Sequence, residues 1–431
     1  MYALAADIFP LCRSISGDGV RQTLKILQRE IPALKIHEVP TGTPCFDWEI
    51  PREWNIRDGY IIDPAGAKIV DFKKHNMHVM SYSVPVDREI GLEELQEHLI
   101  SVADRPNDIP YATSYYRERW GFCLSHAQRQ ALKAGAYRVK IDSTLAPGSM
   151  TYGELLLPGE TEQEVLLSTY TCHPSMANNE TSGPVVTTFL AKWLSGLKRR
   201  RLSYRIVFIP ETIGSIYYLS RHAEAMKRNT IAGFVVSCVG DDRDYSILPS
   251  RQGDTLADRV AHHVLKHTRP DYKTYSFAYD RGSDERQYCA PGIDLPVAVI
   301  SRSLFEKYPE YHTSADDLSC ISPAGLAGGY TALKHIIEVL EGYCYPKATT
   351  LCEPQLSKHG LYPTVGAQRN QPMAFHDMRN LIAYADGTKS ILEIADELGR
   401  PAWQLQEHLD AVVNAGVLTV SAGPQAAAPK I

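Results

Sequence analysis

Four polar side chains follow four separate apolar stretches of the sequence, near the point where each stretch ends. They are His173, Glu211, Asp241 and His312. Neutral imidazole and carboxylate groups are common zinc ligands, and a glutamate that does not bind the metal can take a proton from a water that does. One such residue is weak evidence, because polar strand ends are common. Four in succession favour a single site.

The apolar stretches alternate with amphipathic ones, and this alternation predicts how the four side chains come together. Strands are predicted at 165–171, 204–209, 231–239 and 295–301, and helices at 182–198, 214–228, 255–267 and 324–342. Continuous apolar strands separated by helices are typical of a mainly parallel sheet covered on both faces. Ligands in such sheets bind at the carboxyl ends of the strands. We therefore expect one cleft at that edge.

The pattern of apolar, polar and turn-forming residues changes along the chain and predicts three parts. Residues 1–42 and 154–348 form the α/β domain, in which 2–30 are two helices and 34–39 a strand. Short strand-like runs between turns predict an inserted β-rich domain over 43–153. A Pro-rich connector leads to two short helices and a strand, so 349–431 is predicted to be a connector and a winged-helix-like domain.

Composition excludes several classes of protein. The chain has 431 residues, 44% of them hydrophobic, and a formal net charge of -5, so no global basic field attracts nucleic acid. No apolar stretch approaches the ~18 residues that a membrane helix needs. Nine cysteines without a C-x-x-C pair indicate a reduced, cytoplasmic protein. Residues 373–431 carry seven acidic and four basic side chains, which disfavours a DNA-binding regulator.

The order of the motifs resembles the zinc aminopeptidase superfamily, which includes leucyl aminopeptidases, glutamate carboxypeptidases and glutaminyl cyclases. The likeness is narrower to a bacterial aminopeptidase-like subgroup with an inserted β domain and a C-terminal winged helix, often encoded in polysaccharide or natural-product biosynthesis loci. It rests on the stretches RSISGDGVRQTL, TSYYRERWGFCLS, CHPSMANNETSG, FIPETIGSI, RGSDERQYCAPGIDLP and YHTSADD. The resemblance implies a three-layer α/β sandwich.

The resemblance also implies roles for individual residues. Glu211 corresponds to the general base, and His173, Asp241 and His312 correspond to metal ligands. Asp316 is expected to orient His312 through its second ring nitrogen, as carboxylates around metal sites do. In addition, the turn that ends at Asp284 corresponds to a substrate-binding loop.

Two positions depart from the superfamily pattern. The metal-bridging aspartate falls on Asn179, a neutral and poorer ligand, although the adjacent Glu180 could replace it. The second glutamate of a Glu-Glu pair is Thr212. Each change removes a negative charge that would face a dication. We therefore expect one zinc ion rather than two, with Asn179 or Glu180 as an uncertain additional ligand.

Several other residues have competing interpretations. Tyr115, Arg117 and Arg119 could line the pocket from the inserted domain, with an arginine holding a carboxylate, but core aromatics beside solvated arginines are an equal alternative. Cys172 is expected to point into the core. His78 is placed on a strand, where it would not chelate a metal together with His75.

The sequence thus predicts a zinc-dependent amide or peptide hydrolase that acts on a small molecule or short peptide. Neither a nucleic acid nor a membrane is an expected partner. One alternative is a catalytically degenerate aminopeptidase fold that serves as a binding or scaffold protein, and another is an amide-forming or cyclising enzyme at the same site. The substrate, the metal identity and the oligomeric state are left open.

Overall fold

The computed structural model describes residues 1–361 and 373–425 and contains 18 strands. The strands are β1 (Lys35–Pro40), β2 (Pro44–Cys45), β3 (Trp48–Glu49), β4 (Glu53–Ile62), β5 (Lys68–Asp71), β6 (Val86–Gly91), β7 (Leu99–Ile100), β8 (Phe122–Cys123), β9 (Ala136–Ala146), β10 (Ser149–Leu157), β11 (Glu164–Tyr170), β12 (Ser203–Ile209), β13 (Thr230–Val236), β14 (Ser246–Leu248), β15 (Lys273–Thr274), β16 (Val297–Ser301), β17 (Tyr345–Ala348) and β18 (Leu418–Ser421).

Thirteen α-helices lie in the described part of the chain. They are α1 (Tyr2–Ile8), α2 (Asp18–Glu30), α3 (Leu92–Glu97), α4 (His126–Gln130), α5 (Ser182–Gly196), α6 (Ile213–Asn229), α7 (Leu256–Thr268), α8 (Phe277–Asp280), α9 (Glu285–Tyr288), α10 (Pro323–Glu341), α11 (Met373–Tyr384), α12 (Ile391–Leu398) and α13 (Ala402–Asn414). A π-helical turn covers Ala177–Thr181, and 3-10 turns cover Asn76–His78, Leu318–Cys320 and Leu356–His359.

The chain forms two compact units. The first unit comprises residues 1–258 and 273–331, and the second comprises 259–272 and 332–431, of which 362–372 and 426–431 lie outside the described residues. The end of the predicted connector therefore has no structural description here. None of the helices in residues 1–361 and 373–425 is long and apolar enough to cross a bilayer.

The first unit is built on an eight-stranded sheet of order β1-β10-β12-β11-β13-β16-β14-β15. The central strands β12, β11, β13 and β16 are parallel. On one side β10 pairs antiparallel with β12 and β1, and on the other β14 pairs antiparallel with β16 and parallel with the edge strand β15. All seven residues of β11 are buried, so both faces of the strand are covered, as continuous apolar strands indicate. This confirms the predicted α/β sandwich with a mainly parallel sheet.

A second sheet occupies the chain between β1 and β10. Its order is β5-β4-β9-β6, all antiparallel, and it has its own apolar core around Phe122, Val139 and Ile141. The loop that follows β5 differs from expectation. Residues 76–78 form a 3-10 turn instead of a strand, because the side chain of His75 accepts a hydrogen bond from the Met77 backbone and caps the turn.

The second unit contains the winged-helix elements, including helix α11, which the sequence reasoning missed. Helix α12 begins with a capping box in which Ser390 and Glu393 satisfy each other's backbone N–H groups. Strand β18 pairs antiparallel with β17. His263 is buried and joins the elements of this unit: its Nδ1 lies 2.8 Å from Asp396, and its Nε2 accepts a hydrogen bond from the Ala402 backbone.

Candidate active site

His173 lies just past the end of β11 and is held by a buried ion pair. Its Nδ1 is 2.8 Å from Oε2 of Glu180, whose Oε1 is 3.4 Å from Nε of Arg13. The side chains of Arg13 and Glu180 are 1% and 0% exposed, so no water replaces either partner. Burial lowers the pKa of His173, but the hydrogen bond and charge of Glu180 outweigh it, and the net pKa is raised. The hydrogen bond to Glu180 fixes the orientation of the imidazole, with Nε2 directed away from Glu180 and toward Glu211.

Glu211 lies beside this free nitrogen. Its Oε2 is 3.7 Å from Nε2 of His173, and its Oε1 accepts a 2.6 Å hydrogen bond from Oγ of Ser283. The residue after it, Thr212, adopts a φ of 65°, which is uncommon for a residue with a side chain. Strained backbone of this kind persists where the surrounding structure demands it, often at functional sites. One carboxylate oxygen of Glu211 is thus anchored while the other faces His173.

His312 is the second imidazole of the site. Its ring centroid is 5.4 Å from that of His173, and the ring of Tyr111 contacts both histidines, at 5.0 Å and 5.1 Å. Its Nε2 is buried and has no hydrogen-bond partner. Burial lowers the pKa of His312 well below its usual value, so the ring is neutral and keeps a lone pair.

Asn179 supplies another buried polar atom without a partner. Its Nδ2 donates to the hydroxyl of Tyr170, which in turn lies within hydrogen-bond distance of Ser237, but its Oδ1 has no partner. The ring of Tyr170 is 5.4 Å from that of His173. Buried polar atoms in folded proteins are nearly always hydrogen-bonded, so two orphaned acceptors near the histidines call for an occupant.

The two aspartates near this centre are committed to other contacts. Asp241 is buried and accepts hydrogen bonds from Nδ2 of Asn178 and from the backbone N–H and Oγ of Ser303. Its assignment as a metal ligand stays a prediction. The prediction that Asp316 orients His312 is wrong. Asp316 instead accepts hydrogen bonds from the backbone N–H groups of Asn178 and Asn179, because the turn that starts at Ala177 presents unpaired donors.

Of the four predicted substrate-binding residues, only Tyr115 lines the cavity beside His173. The carboxylate of Asp284 accepts hydrogen bonds from the Thr212 backbone and Ser215, and burial raises its pKa to about 7. Arg117 and Arg119 are exposed and are not among the residues lining that cavity.

The cavity itself has a volume of about 230 Å³ and a mostly apolar wall. It is lined by Ile15, Trp48, Tyr115, Tyr116, Cys172, His173, Glu211, Thr212 and Ile213. Cys172 was expected to point only into the core, but it also lines this cavity. Its thiol accepts a hydrogen bond from the Glu211 backbone N–H, and burial raises the pKa of the thiol well above the usual value.

The side-chain chemistry at this site fits a zinc ion. Within residues 1–361 and 373–425, Cys172, His173 and Glu211 form the group of metal-binding side chains whose ligand atoms lie within 4.8 Å of one another. Nε2 of His312 and Oδ1 of Asn179 are buried without a partner and are of the neutral N and O types that zinc accepts, although His312 is not part of that group. A carboxylate on the other ring nitrogen of His173 is the usual arrangement behind a metal-bound histidine.

Sequence reasoning missed several residues that shape the site. Arg13, Asn178 and Ser283 all stand in the quoted similar stretches, but they were given no role of their own there, because their contacts join distant parts of the chain. Glu180 does for His173 what Asp316 was expected to do for His312. Glu180 was noticed in the sequence because it directly follows Asn179. It was interpreted as a metal ligand that replaces the bridging aspartate, and not as the hydrogen-bond partner of His173.

This sheet, with its polar cluster past the strand ends, defines an aminopeptidase-like fold. BSAP, a zinc aminopeptidase from Bacillus subtilis, has a similar structure, with a TM-score of 0.56 over 79% of this chain and 93% of that chain at 12% identity. Residues 2–343 match the family described as a domain of unknown function (DUF4910), and the chain belongs to this family. Residues 344–420 match a winged helix-turn-helix model.

Two relatives from Clostridium acetobutylicum match nearly the whole chain. One is named a putative polysaccharide biosynthesis protein with an aminopeptidase-like domain and is 43% identical, covering 97% of this chain and 95% of its own length. The other is the crystal structure of a putative peptidase, 42% identical, with a TM-score of 0.90 over 97% of this chain and 96% of that one. The predicted aminopeptidase-like fold and C-terminal winged helix are therefore confirmed.

Proposed function

We propose that this protein is a zinc-dependent hydrolase of amide bonds, with Glu211 as the general base. The observation that carries the proposal is the pairing of Glu211 with a fixed imidazole: Oε2 lies 3.7 Å from Nε2 of His173, whose other nitrogen is held by Glu180. Two buried acceptors near His173, on Asn179 and His312, lack partners.

In this proposal His173, His312 and Asn179 hold one zinc ion, and Asp241 remains a further candidate ligand. When bound, zinc would lower the pKa of a water molecule and polarise the scissile carbonyl. Binding Asp241 would require its carboxylate to give up hydrogen bonds from Asn178 or Ser303. His312 and Asn179 have no such contact to lose at Nε2 and Oδ1.

Glu211 moves the proton. Its Oε2 takes a proton from the attacking water and returns it to the amine that leaves, so one carboxylate serves both half-reactions. Ser283 donates to Oε1 and prevents the carboxylate from turning away from His173. The hydroxyl thus acts as a positioning group that keeps the basic oxygen on the cavity side.

The cavity favours an apolar group on the acyl side of the bond. Ile15, Trp48 and Ile213 form part of its wall, and Glu211 is a charged side chain within that lining. Burying an apolar substituent here removes it from water at roughly 25 cal/mol per Å². The substrate is therefore a small molecule or short peptide with an apolar acyl substituent, consistent with a biosynthetic amide.

A catalytically silent binding protein is the second candidate. This candidate is favoured by the neutral side chain of Asn179, which is hydrogen-bonded to Tyr170 and through it to Ser237. A carboxylate at position 179 would bind a divalent cation more strongly than this amide does. An amide-forming or cyclising enzyme could use the same residues. Metal content separates the silent form from the two catalytic ones.

We also propose a cytoplasmic protein that does not bind nucleic acid. All nine cysteines are free, which suits a reducing compartment. The winged-helix region has an excess of acidic side chains, and its α13 helix offers Trp403, Gln404 and Glu407 but no arginine. Because phosphate neutralisation supplies most nonspecific affinity for DNA, this unit is proposed to pack or to dock a partner.

The test uses Glu211→Gln, which keeps the shape of the side chain and removes its basicity. Zinc-loaded protein is incubated with a panel of aminoacyl 4-nitroanilides that carry apolar and polar side chains, and zinc is quantified in the same samples. We expect cleavage of apolar members, and a variant that keeps its zinc but turns over about 10²- to 10⁴-fold more slowly. A zinc-loaded wild-type protein that cleaves none of the panel, or equal turnover by the variant, contradicts the proposal.

A further inference from the structure

A second, larger cavity lies in the first unit, away from Glu211. Its volume is about 850 Å³, and it shares no lining residue with the cavity beside His173. We call it the Lys73 cleft, and its wall includes Arg57, Lys73, Lys74, Asn76 and Ser175. This volume is in the range of pockets that hold small molecules, and it is too large for a single ion.

The cleft has an excess of positive charge. Arg57 is paired with Asp142, at 2.7 Å, and is largely neutralised. Lys73 and Lys74 are exposed, and no carboxylate of the described residues lies within 4 Å of either ammonium group. Asp18 is the acidic residue in the lining. Two unneutralised ammonium groups at one cavity favour an anionic ligand.

One wall of the cleft is fixed by Asn76. Nδ2 of Asn76 donates to the Pro10 carbonyl, at 3.2 Å, and to Oγ of Ser175, at 2.7 Å, so the amide is fixed in orientation. Its Oδ1 is buried and has no partner. Asn76 therefore positions this wall through its bonds to Pro10 and Ser175, while the groups open to the cleft lie beside it.

The half-buried rings of Phe9 and Phe72 also line the cleft, beside the polar side chains of Gln22 and Thr144. Apolar ring faces next to neutral hydrogen-bonding groups suit a sugar ring, which has C–H faces and a rim of hydroxyls. Cations, neutral hydrogen-bonding side chains and ring faces are thus found in one cavity.

We propose that the Lys73 cleft binds a phosphorylated sugar. Lys73 and Lys74 contact the phosphate, and the exposed side chains of Gln22 and Thr144 form hydrogen bonds with the sugar hydroxyls. Asn76 also holds Ser175, two residues beyond His173, so the ligand lies against the loop that carries this histidine. The inference does not depend on the chemistry proposed for Glu211.

The test is calorimetric titration of the full chain with glucose 1-phosphate, glucose and inorganic phosphate. Binding of glucose 1-phosphate is expected to be saturable and at least about tenfold tighter than that of either fragment, because both groups contribute. Lys73→Ala/Lys74→Ala is expected to weaken it at least about tenfold through the loss of charge-assisted hydrogen bonds. The charge-matched control Lys25→Ala/Lys198→Ala alters exposed lysines outside the cleft and should change it less than about twofold.

Two further arms locate the site. Chelator treatment should leave the affinity unchanged, which separates the cleft from any phosphate bound at a metal. Saturating ligand should slow acetylation of Lys73 and Lys74 but not of Lys25. The proposal is overturned by absence of saturable binding, by an equal loss in the control variant, by loss on chelation, or by inorganic phosphate binding as tightly as the sugar phosphate.

Discussion

Replacing Glu180 with glutamine tests the buried ion pair behind His173. The glutamate carboxylate contacts Nδ1 of His173 at 2.8 Å and Nε of Arg13 at 3.4 Å. The glutamine amide has one acceptor and one donor, so one of these two buried donors faces an N–H group instead of an oxygen. Both side chains of the ion pair are at most 1% exposed, and water cannot compensate.

The expected loss of stability follows from this geometry. Removing one partner of a fully buried pair costs about 3–5 kcal/mol, because the other charge stays buried without compensation. At the midpoint of that range the unfolding equilibrium constant rises roughly 10³-fold. The change is measured as the free energy of unfolding in urea, from the transition of the unit that contains Glu180.

Two controls make the result specific. Glu160→Gln removes a carboxylate from a surface pair with Arg199, whose side chain is 82% exposed, and should leave the free energy of unfolding nearly unchanged. The double variant Arg13→Met/Glu180→Gln removes both charges and should be less destabilised than the sum of its single variants. A loss below about 1 kcal/mol for Glu180→Gln alone, or strict additivity in the double variant, would refute the reasoning.

Three further predictions concern separate parts of the first unit. Ser283→Ala removes the hydrogen bond to Oε1 of Glu211 and should lower kcat up to about tenfold at unchanged zinc content; an unaltered kcat contradicts the positioning role. Burial lowers the pKa of His75 to about 4, so the folded state binds fewer protons, and its stability should fall as the pH drops from about 6.5 to 4. His75→Asn should flatten this dependence in urea unfolding at several pH values, and an identical pH profile argues against it. Arg205→Met breaks the buried bidentate pair with Glu164 and should lower the free energy of unfolding by about 3–5 kcal/mol in the same assay. An unchanged free energy of unfolding would mean that water reaches Glu164 and replaces the arginine.

The parallel sheet could be predicted from sequence because its strands are apolar throughout. The expected strand at 165–171 is observed as Glu164–Tyr170, and the expected helix at 182–198 as Ser182–Gly196. Continuous apolar runs flanked by amphipathic ones leave few alternatives. Serine is a common helix N-cap, but Ser182 does not cap this helix, because its hydroxyl donates to the Asn178 carbonyl within the preceding π-helical turn.

Contacts inside the site were harder to predict than the residues that form it. The sequence placed His173, Glu211 and His312 at strand ends, and the structure brings their side chains near one another. Nothing in the local sequence showed that Arg13 would pair with Glu180, 167 positions along the chain, because such a pair depends on tertiary packing. For the same reason Asp316 was assigned to the ring of His312 and not to the Asn178 backbone.

The metal content of the isolated full chain shows whether His173 and His312 hold a zinc ion. The protein is purified without chelator or immobilised nickel and is analysed by elemental mass spectrometry beside the His173→Ala/His312→Ala variant and the Asp241→Asn variant. We expect about one zinc per chain in the wild type and in Asp241→Asn, and a loss of zinc in the double histidine variant. A wild-type chain that holds no metal even after reconstitution with zinc would contradict the account and favour the binding protein.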